Sequence, residues 1–129
     1  MSDEATIIQA AKDHFEGLGD RPSTVWANQA AKSDTPRVEF DHGPVAQSTA
    51  TLAGDSRADF LLQISVVTEA GTSSGPSDKI VQSVIDHFSI GTRISDATVH
   101  LRPTIGAPFQ DGSEWRVPVT IRMKAMLSA

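Results

Sequence analysis

The strongest pattern in the chain is a run of nearly unbroken two-residue alternation over residues 115–126. Its apolar side consists of Trp115, Val117, Val119, Ile121, Met123 and Ala125. Its polar side consists of Arg116, Pro118, Thr120, Arg122 and Lys124. A period of two over this length predicts a β-strand with one buried face and one polar face. The polar face is rich in positive charge and carries no group typical of catalysis, so it favours a surface that contacts another protein.

A second long strand is predicted over residues 57–68, where apolar residues again recur at every other position. Its inner face consists of Phe60, Leu62, Ile64 and Val66. Its outer face consists of Leu61, Gln63, Ser65 and Val67, and is therefore half apolar, more than contact with water requires. The shorter segment 37–41 alternates in the same way, with Val38 and Phe40 inward, and Gly43-Pro44 ends it.

Two segments have the three- and four-residue spacing of amphipathic helices. The apolar positions of the first are Ile7 or Ile8, Ala11, Phe15 and Leu18. Those of the second are Ile80 or Val81, Val84, Ile85 and Phe88. Gly17 and Gly19 predict the end of the first helix, and Gly91 predicts the end of the second. Residues 70–77 are rich in Gly and Ser and predict a flexible connector before the second helix.

The remaining segments predict short or irregular structure. Residues 20–36 are typical of a loop with a short extended piece at 25–27, and residues 47–52 of an exposed strand. Residues 98–102 predict a short strand with Val99 and Leu101 inward, followed by a loop over 103–114. The resulting order is α-β-β-α-β-β with one extra short strand. It predicts an α+β two-layer sandwich, in which two helices cover one face of a mostly antiparallel sheet of four to five strands.

Composition limits the classes of partner and compartment. A chain of 129 residues is long enough for one domain, residues 1–129, with one core. The net charge of −5 and the scattered Lys and Arg residues argue against a protein that grips nucleic acid through its phosphates. The chain has no Cys, and no apolar run approaches the roughly 18 residues that a membrane span needs. We therefore expect a soluble protein made in the cytoplasm, without a membrane partner.

Few residues have the arrangement that catalysis or metal binding requires. The four histidines are scattered, with no pair at metal-binding spacing. The adjacent pairs Asp41-His42 and Asp86-His87 point in different directions, so neither forms a dyad. His14 and His87 are predicted at ordinary surface or boundary positions of their helices. No phosphate-binding loop, nucleophile elbow or dinucleotide fingerprint is present. We expect no catalytic residue, cofactor or metal, and hence no enzyme.

The polar face of the predicted sheet is the better candidate for a functional surface. The candidate interface residues are Arg57, Leu61, Arg102, Arg116, Arg122 and Lys124. His100 is expected beside them, Val67 and Met126 add apolar area, and Glu39 and Asp41 add the opposite charge. The plain alternative is a solvated outer face of an antiparallel sheet. A subunit interface is the other interpretation, since charge patterns set register and choice of partner.

Six motifs follow one another in an order that is typical of a known family. They are Thr-Val-Trp-Ala-Asn at 24–28, Pro-Arg-Val-Glu-Phe at 36–40, Ala-Thr-Leu-Ala-Gly at 50–54, the strand at 61–67, Val-His-Leu at 99–101, and the closing segment at 110–121. In this order the chain resembles the tail-terminator, or tail-completion, proteins of long-tailed phages and prophages, similar in class to the lambda-type terminator. The closing Asp-Gly-x-x-Trp-x-Val-Pro-Val strand is the most specific motif.

The resemblance implies a structural protein without catalytic residues. It implies a ring of identical copies, usually a hexamer, that caps the major tail tube protein, stops tube polymerisation and presents the docking surface for the head-completion or connector protein. The genome DNA would pass through the lumen of the ring without specific binding, which fits the acidic charge of the chain. The protein would be assembled in the host cytoplasm and lie in the virion at the tail-neck junction.

Two alternatives remain open at this point. A head-completion or minor tail component would bind the connector and not the tube. A small α+β enzyme or ligand-binding domain would need polar groups that converge in an apolar pocket.

Overall fold

A computed structural model describes residues 4–18, 23–25, 35–43, 45–49, 56–71 and 75–127. Within these residues the chain forms two helices, α1 (Glu4–Glu16) and α2 (Gly75–His87). It also forms nine strands: β1 (Ser23–Val25), β2 (Arg37–His42), β3 (Ala46–Thr49), β4 (Ser56–Glu69), β5 (Arg93–Ile94), β6 (Ala97–Val99), β7 (Thr104–Ile105), β8 (Phe109–Asp111) and β9 (Glu114–Leu127). The α+β class and the mostly antiparallel sheet agree with the prediction from sequence. The predicted number of four to five strands and the order α-β-β-α-β-β are wrong, because in the described residues four strands precede α2, five follow it, and several of them are too short to show a pattern.

The two long strands β4 and β9 form the centre of the sheet. They pair antiparallel along their whole length, from Ser56 opposite Leu127 to Glu69 opposite Glu114. The other edge of β4 pairs with β2 and β3, and β1 adds to β2 in parallel. The other edge of β9 pairs in succession with β6, β7 and β8, and β5 adds to β6. Both strands that the alternation predicted most clearly are therefore confirmed.

The register of β4 and β9 places matching apolar residues side by side on the inner face. Phe60 lies opposite Met123, and Ile64 lies opposite Val119. All of these side chains are buried, as are Val38 and Phe40 from β2. Burying such a side chain contributes about 1.5–3 kcal/mol, so this face is the main source of stability.

Both helices pack against that inner face. The buried apolar residues of α1 are Ile7, Ala11 and Phe15, and those of the α2 region are Val81, Val84, Ile85 and Phe88. They belong to the same core cluster as the strands, while Ile8, Leu18 and Ile80 are partly buried at its margin. The final turns of the helices meet where the ring of His14 stacks on the ring of His87, with centroids 4.2 Å apart. The predicted apolar stripes are thus confirmed.

Several boundaries differ from the prediction. Helix α2 ends at His87, before Gly91, whose positive φ of 86° belongs to the turn that leads into β5 and β6. Residues 103–114 were expected to be a loop, but they contain β7 and β8. The extended piece predicted at 25–27 is β1, and Trp26 and Ala27 lie outside the described residues. The exposed strand expected at 47–52 corresponds to β3, and residues 50–52 also lie outside that part.

Pro118 lies inside β9 and interrupts the strand pairing on one side. Its carbonyl oxygen accepts a hydrogen bond of 2.8 Å from the Gly106 N–H group. In a strand the N and O atoms of one residue point to the same side, so the N–H that proline lacks faces this same edge. There β7 ends at Ile105 and β8 begins at Phe109, so the neighbouring segment is divided into two short strands.

Candidate protein interface

The outer face of β4 and β9 brings most of the predicted interface residues together. In the register of the two strands, Leu61 lies beside Arg122 and Arg57 lies beside Met126. Lys124 lies between Asp59 on β4 and Thr98 on β6. The sequence therefore predicted a real group of neighbours, on the face opposite the helices.

Arg102 lies outside this group. Strand β6 ends at Val99, and Arg102 is exposed in the segment between β6 and β7. The same early end explains why Leu101, predicted to point inward, is 49% exposed. His100 lies next to β9, where its N–H donates a 3.2 Å hydrogen bond to the Arg122 carbonyl oxygen. The prediction for Leu101 is therefore wrong, because the two-residue alternation was extended past the end of the strand.

Arg37 and Arg116 form an ion-pair cluster at one end of the outer face. Arg37 is only 2% exposed and contacts Glu39, at 2.9 Å, and Glu114. Arg116 contacts the same two carboxylates at 3.0 and 3.1 Å, and Asp111 at 3.4 Å. Each glutamate therefore lies between two guanidinium groups. Arg116, predicted as an interface residue, has its charge balanced within its own chain.

The ion-pair cluster changes the acidity of its members. Hydrogen bonding to Arg37 holds the pKa of Glu114 below its ordinary value. Burial acts to raise the pKa of Glu39, but hydrogen bonds from Arg116 and Arg37 outweigh it, so this pKa is also lowered. The hydrogen bond to Glu114 raises the pKa of Arg37, and that to Glu39 raises the pKa of Arg116. All four groups are therefore ionised at neutral pH.

The cluster also explains a buried apolar residue on the outer face. Val67 lies between Arg37 on β2 and Arg116 on β9 in the sheet register, and it is fully buried. Arginine covers apolar surface with its aliphatic stem while its charged end finds partners elsewhere. Val67 was expected to add apolar area to an interface, but its neighbours already shield it.

The opposite end of the outer face forms an open basic groove. It is lined by Arg57, Arg93, Asp96, Thr98, Lys124, Ala125 and Met126. Met126 is 48% exposed in this groove. Arg57 and Asp59 are 3.4 Å apart, and both are about half exposed, so their attraction is weak. In the described part of the chain, neither Arg122 nor Lys124 forms an ion pair.

Arg93 belongs to the groove, although the sequence did not predict it. It lies on β5, next to Thr98, and Thr98 lies next to Lys124 on β9. Strand β5 has only two residues, too few to show an alternation. The short separation of Arg93 and Thr98 along the chain allows a tight turn between them. The structure has this turn at Ser95, whose φ is positive at 55°. That turn is what brings a third basic side chain to the groove.

Within the described ranges, no group of three or more His, Asp and Glu side chains is arranged to hold a metal ion. None of the described helices has the length and apolar character to cross a membrane.

Comparison with known proteins relates the sequence and the fold to earlier examples. A family model described as phage tail terminator protein matches residues 6–123. No curated protein matches the sequence significantly. Among 25 solved chains that match the structure, one covers 100% of this chain and 99% of its own length, with a TM-score of 0.72 and 13% sequence identity. At that identity the likeness shows a shared fold alone.

Proposed function

The chain belongs to the phage tail terminator protein family, and from that premise we propose that it forms a ring that caps the tail tube. The family is one of structural proteins, and the chain is accordingly a structural component of the virion tail. The single observation that carries the proposal is the match to the family model over residues 6–123. In this proposal the ring ends tube polymerisation and then provides the docking surface for the head connector, without enzymatic activity.

The location and partners follow from that role. The ring, a hexamer on the family resemblance, is assembled in the host cytoplasm and lies at the tail-neck junction. One side binds the last ring of the major tail tube protein, and the other binds the head-completion protein. The genome passes through the lumen without specific binding, and the net charge of −5 supports this part of the proposal because it disfavours tight contact with phosphates.

The outer face of the sheet is the surface that we assign to protein contacts. Arg122 and Lys124 are exposed there, beside the partly buried Leu61. A face with charged side chains around apolar ones is typical of the rim and core of protein interfaces. Arg116 supports this surface from one end, where the ion-pair cluster holds its charge in place.

A tube-growth assay tests the proposal. Purified tail tube protein is polymerised with and without this protein, and tube lengths are measured by electron microscopy. We expect short, capped tubes, and a discrete multiple of the 13.7 kDa chain, most tellingly six, by light scattering. Unchanged tube lengths would contradict termination. Binding to the connector protein with no binding to the tube would favour a head-completion role instead.

A further inference from the structure

We propose that the basic groove of each copy binds the acidic end of the helices of the next copy. This inference rests on the proposed function, since it assigns the contact between neighbouring copies within the ring. It names one occupant for the groove, a second copy of this chain.

The groove offers more positive charge than it can balance by itself. Three cationic side chains, Arg57, Arg93 and Lys124, line it together with the carboxylate of Asp96. Asp59 contacts Arg57 at 3.4 Å and lies beside Lys124 in the sheet, so among these described residues three cations face two carboxylates. Met126 contributes an exposed apolar side chain between them. Such a surface fits a partner that has carboxylates around small apolar side chains.

The helices of the same chain present that chemistry. Along α1 and α2 there are five carboxylates and two lysines. Asp13, Glu16 and Asp86 are exposed in the final turns, which meet at the stacked rings of His14 and His87. We call these three carboxylates the acidic end.

A shallow groove on α1, which includes two alanines, lies next to the acidic end. It is lined by Ala5, Thr6, Gln9, Ala10 and Asp13. The two alanines present small apolar side chains there, and Met126 in the basic groove offers an apolar side chain that is 48% exposed.

The positions of the two surfaces determine the kind of assembly. The acidic end belongs to the helical layer, which packs on the inner face of the sheet, and the basic groove opens on the outer face. A contact between two different surfaces is head-to-tail, so every copy retains one free surface of each kind. Repeated contacts of this kind close into a ring or continue as a filament, whereas a symmetric dimer would need one self-complementary surface.

Charge reversal on each surface tests the pairing. The first variant reverses the groove with Arg93→Glu and Lys124→Glu, and the second reverses the acidic end with Asp13→Lys and Asp86→Lys. Lysine near the C-terminus of a helix is favourable for the helix itself, so the second variant should fold well. The control for Arg93→Glu is Lys79→Glu, in the first turn of α2. The control for Asp86→Lys is Asp41→Lys, at an exposed carboxylate on β2.

Assembly is measured by light scattering and crosslinking with tube ends present, and folding by circular dichroism. We expect each reversed variant alone to need about tenfold or more higher concentration to assemble, since both of its surfaces have the same sign. An equimolar mixture of the two variants should restore assembly, with alternating copies in an even-numbered ring. The single variant Arg93→Glu should raise the concentration needed for assembly by a smaller factor. It replaces the double variant in the test if the double variant fails to fold.

Each outcome separates this inference from the proposed function. Normal assembly by a folded groove variant, or a mixture that fails to assemble although both variants fold, overturns the pairing and leaves the ring intact. If the groove variant assembles normally but no longer binds tubes, the groove binds the tube protein instead. If only the groove variant loses the ability to retain DNA, the groove binds phosphates instead. A wild-type protein that stays monomeric with tube ends present overturns both proposals.

Discussion

His14 and His87 join the ends of the two helices through reciprocal hydrogen bonds. The Nε2 atom of His14 lies 2.8 Å from the carbonyl oxygen of His87, and the Nε2 atom of His87 contacts the carbonyl oxygen of His14. A carbonyl oxygen only accepts, so each Nε2 atom carries a hydrogen and donates it. Each bond adds a donor to a carbonyl in the final turn of a helix, where the next helical turn is missing. The His14 carbonyl oxygen also accepts a 3.1 Å hydrogen bond from the Gly17 N–H group. The histidine pair therefore closes both helices at once.

Removing one ring of this pair should destabilise the protein. We expect His14→Ala or His87→Ala to lower the free energy of unfolding by about 1–3 kcal/mol, because each change removes both a hydrogen bond and the ring contact. The double variant should cost less than the two single variants together, since they remove the same interaction. Urea unfolding of the three variants measures this, with His42→Ala, an exposed histidine, as the control that should change little.

Arg37 should contribute more to the free energy of unfolding than an exposed arginine such as Arg57. Arg37→Met should lower the free energy of unfolding by about 2–4 kcal/mol, because Glu39 and Glu114 lose a shared partner at a nearly buried site. The matched change Arg57→Met breaks a half-exposed pair with Asp59 and should cost less than about 1 kcal/mol. Equal losses in thermal or urea unfolding would contradict the assigned role of the ion-pair cluster.

Stability should fall in acid through the same cluster. The pKa values of Glu39 and Glu114 are lowered in the folded protein, so below their ordinary values near 4.5 the unfolded state binds more protons. The contribution of these groups is therefore present above about pH 4.5 and is lost as the pH falls through the folded pKa values. Urea unfolding at pH 7 and pH 3 measures the difference, which should be smaller in the Glu114→Gln variant than in the wild type.

Gly106 should not tolerate a larger side chain. A Cβ atom at this position would lie 2.8 Å from Cγ of Pro118, closer than real contacts allow. Gly106→Ala should therefore cost about 1–3 kcal/mol by overpacking. Adding Pro118→Ala should recover part of the loss, because it removes the atom in the way. A single variant as stable as the wild type, or a double variant with no recovery, would contradict this contact.

Long periodic elements could be predicted from the sequence, and short or distant ones could not. Strands β4 and β9 have 14 residues each, enough for the alternation to stand out. Strands β5 and β7 have two residues each and form only because β6 and β9 offer them partners. Their existence depends on tertiary contacts, and no local pattern records it.

Only part of the candidate interface could likewise be predicted from the sequence. The alternation placed Arg57, Leu61, Arg122 and Lys124 on one face, because side-chain direction in a strand follows from position alone. It could not show that Arg116 is paired with Glu39, 77 residues away, since that contact depends on the order of strands in the sheet. It also missed Arg93, which the turn at Ser95 brings to the groove. Local periodicity therefore predicts which face of the sheet a side chain lies on. The order of the strands decides which opposite charges it contacts.

The proline within β9 has a consequence for growth beyond the single molecule. A continuous strand edge invites further strands to add by backbone hydrogen bonds, and such addition has no natural end. Beside Pro118 the edge is covered by β7 and β8, fragments of two and three residues that offer little template for another chain. Pairing of a further strand along this edge is therefore disfavoured. One missing N–H group thus helps to protect this edge of the sheet against edge-to-edge aggregation.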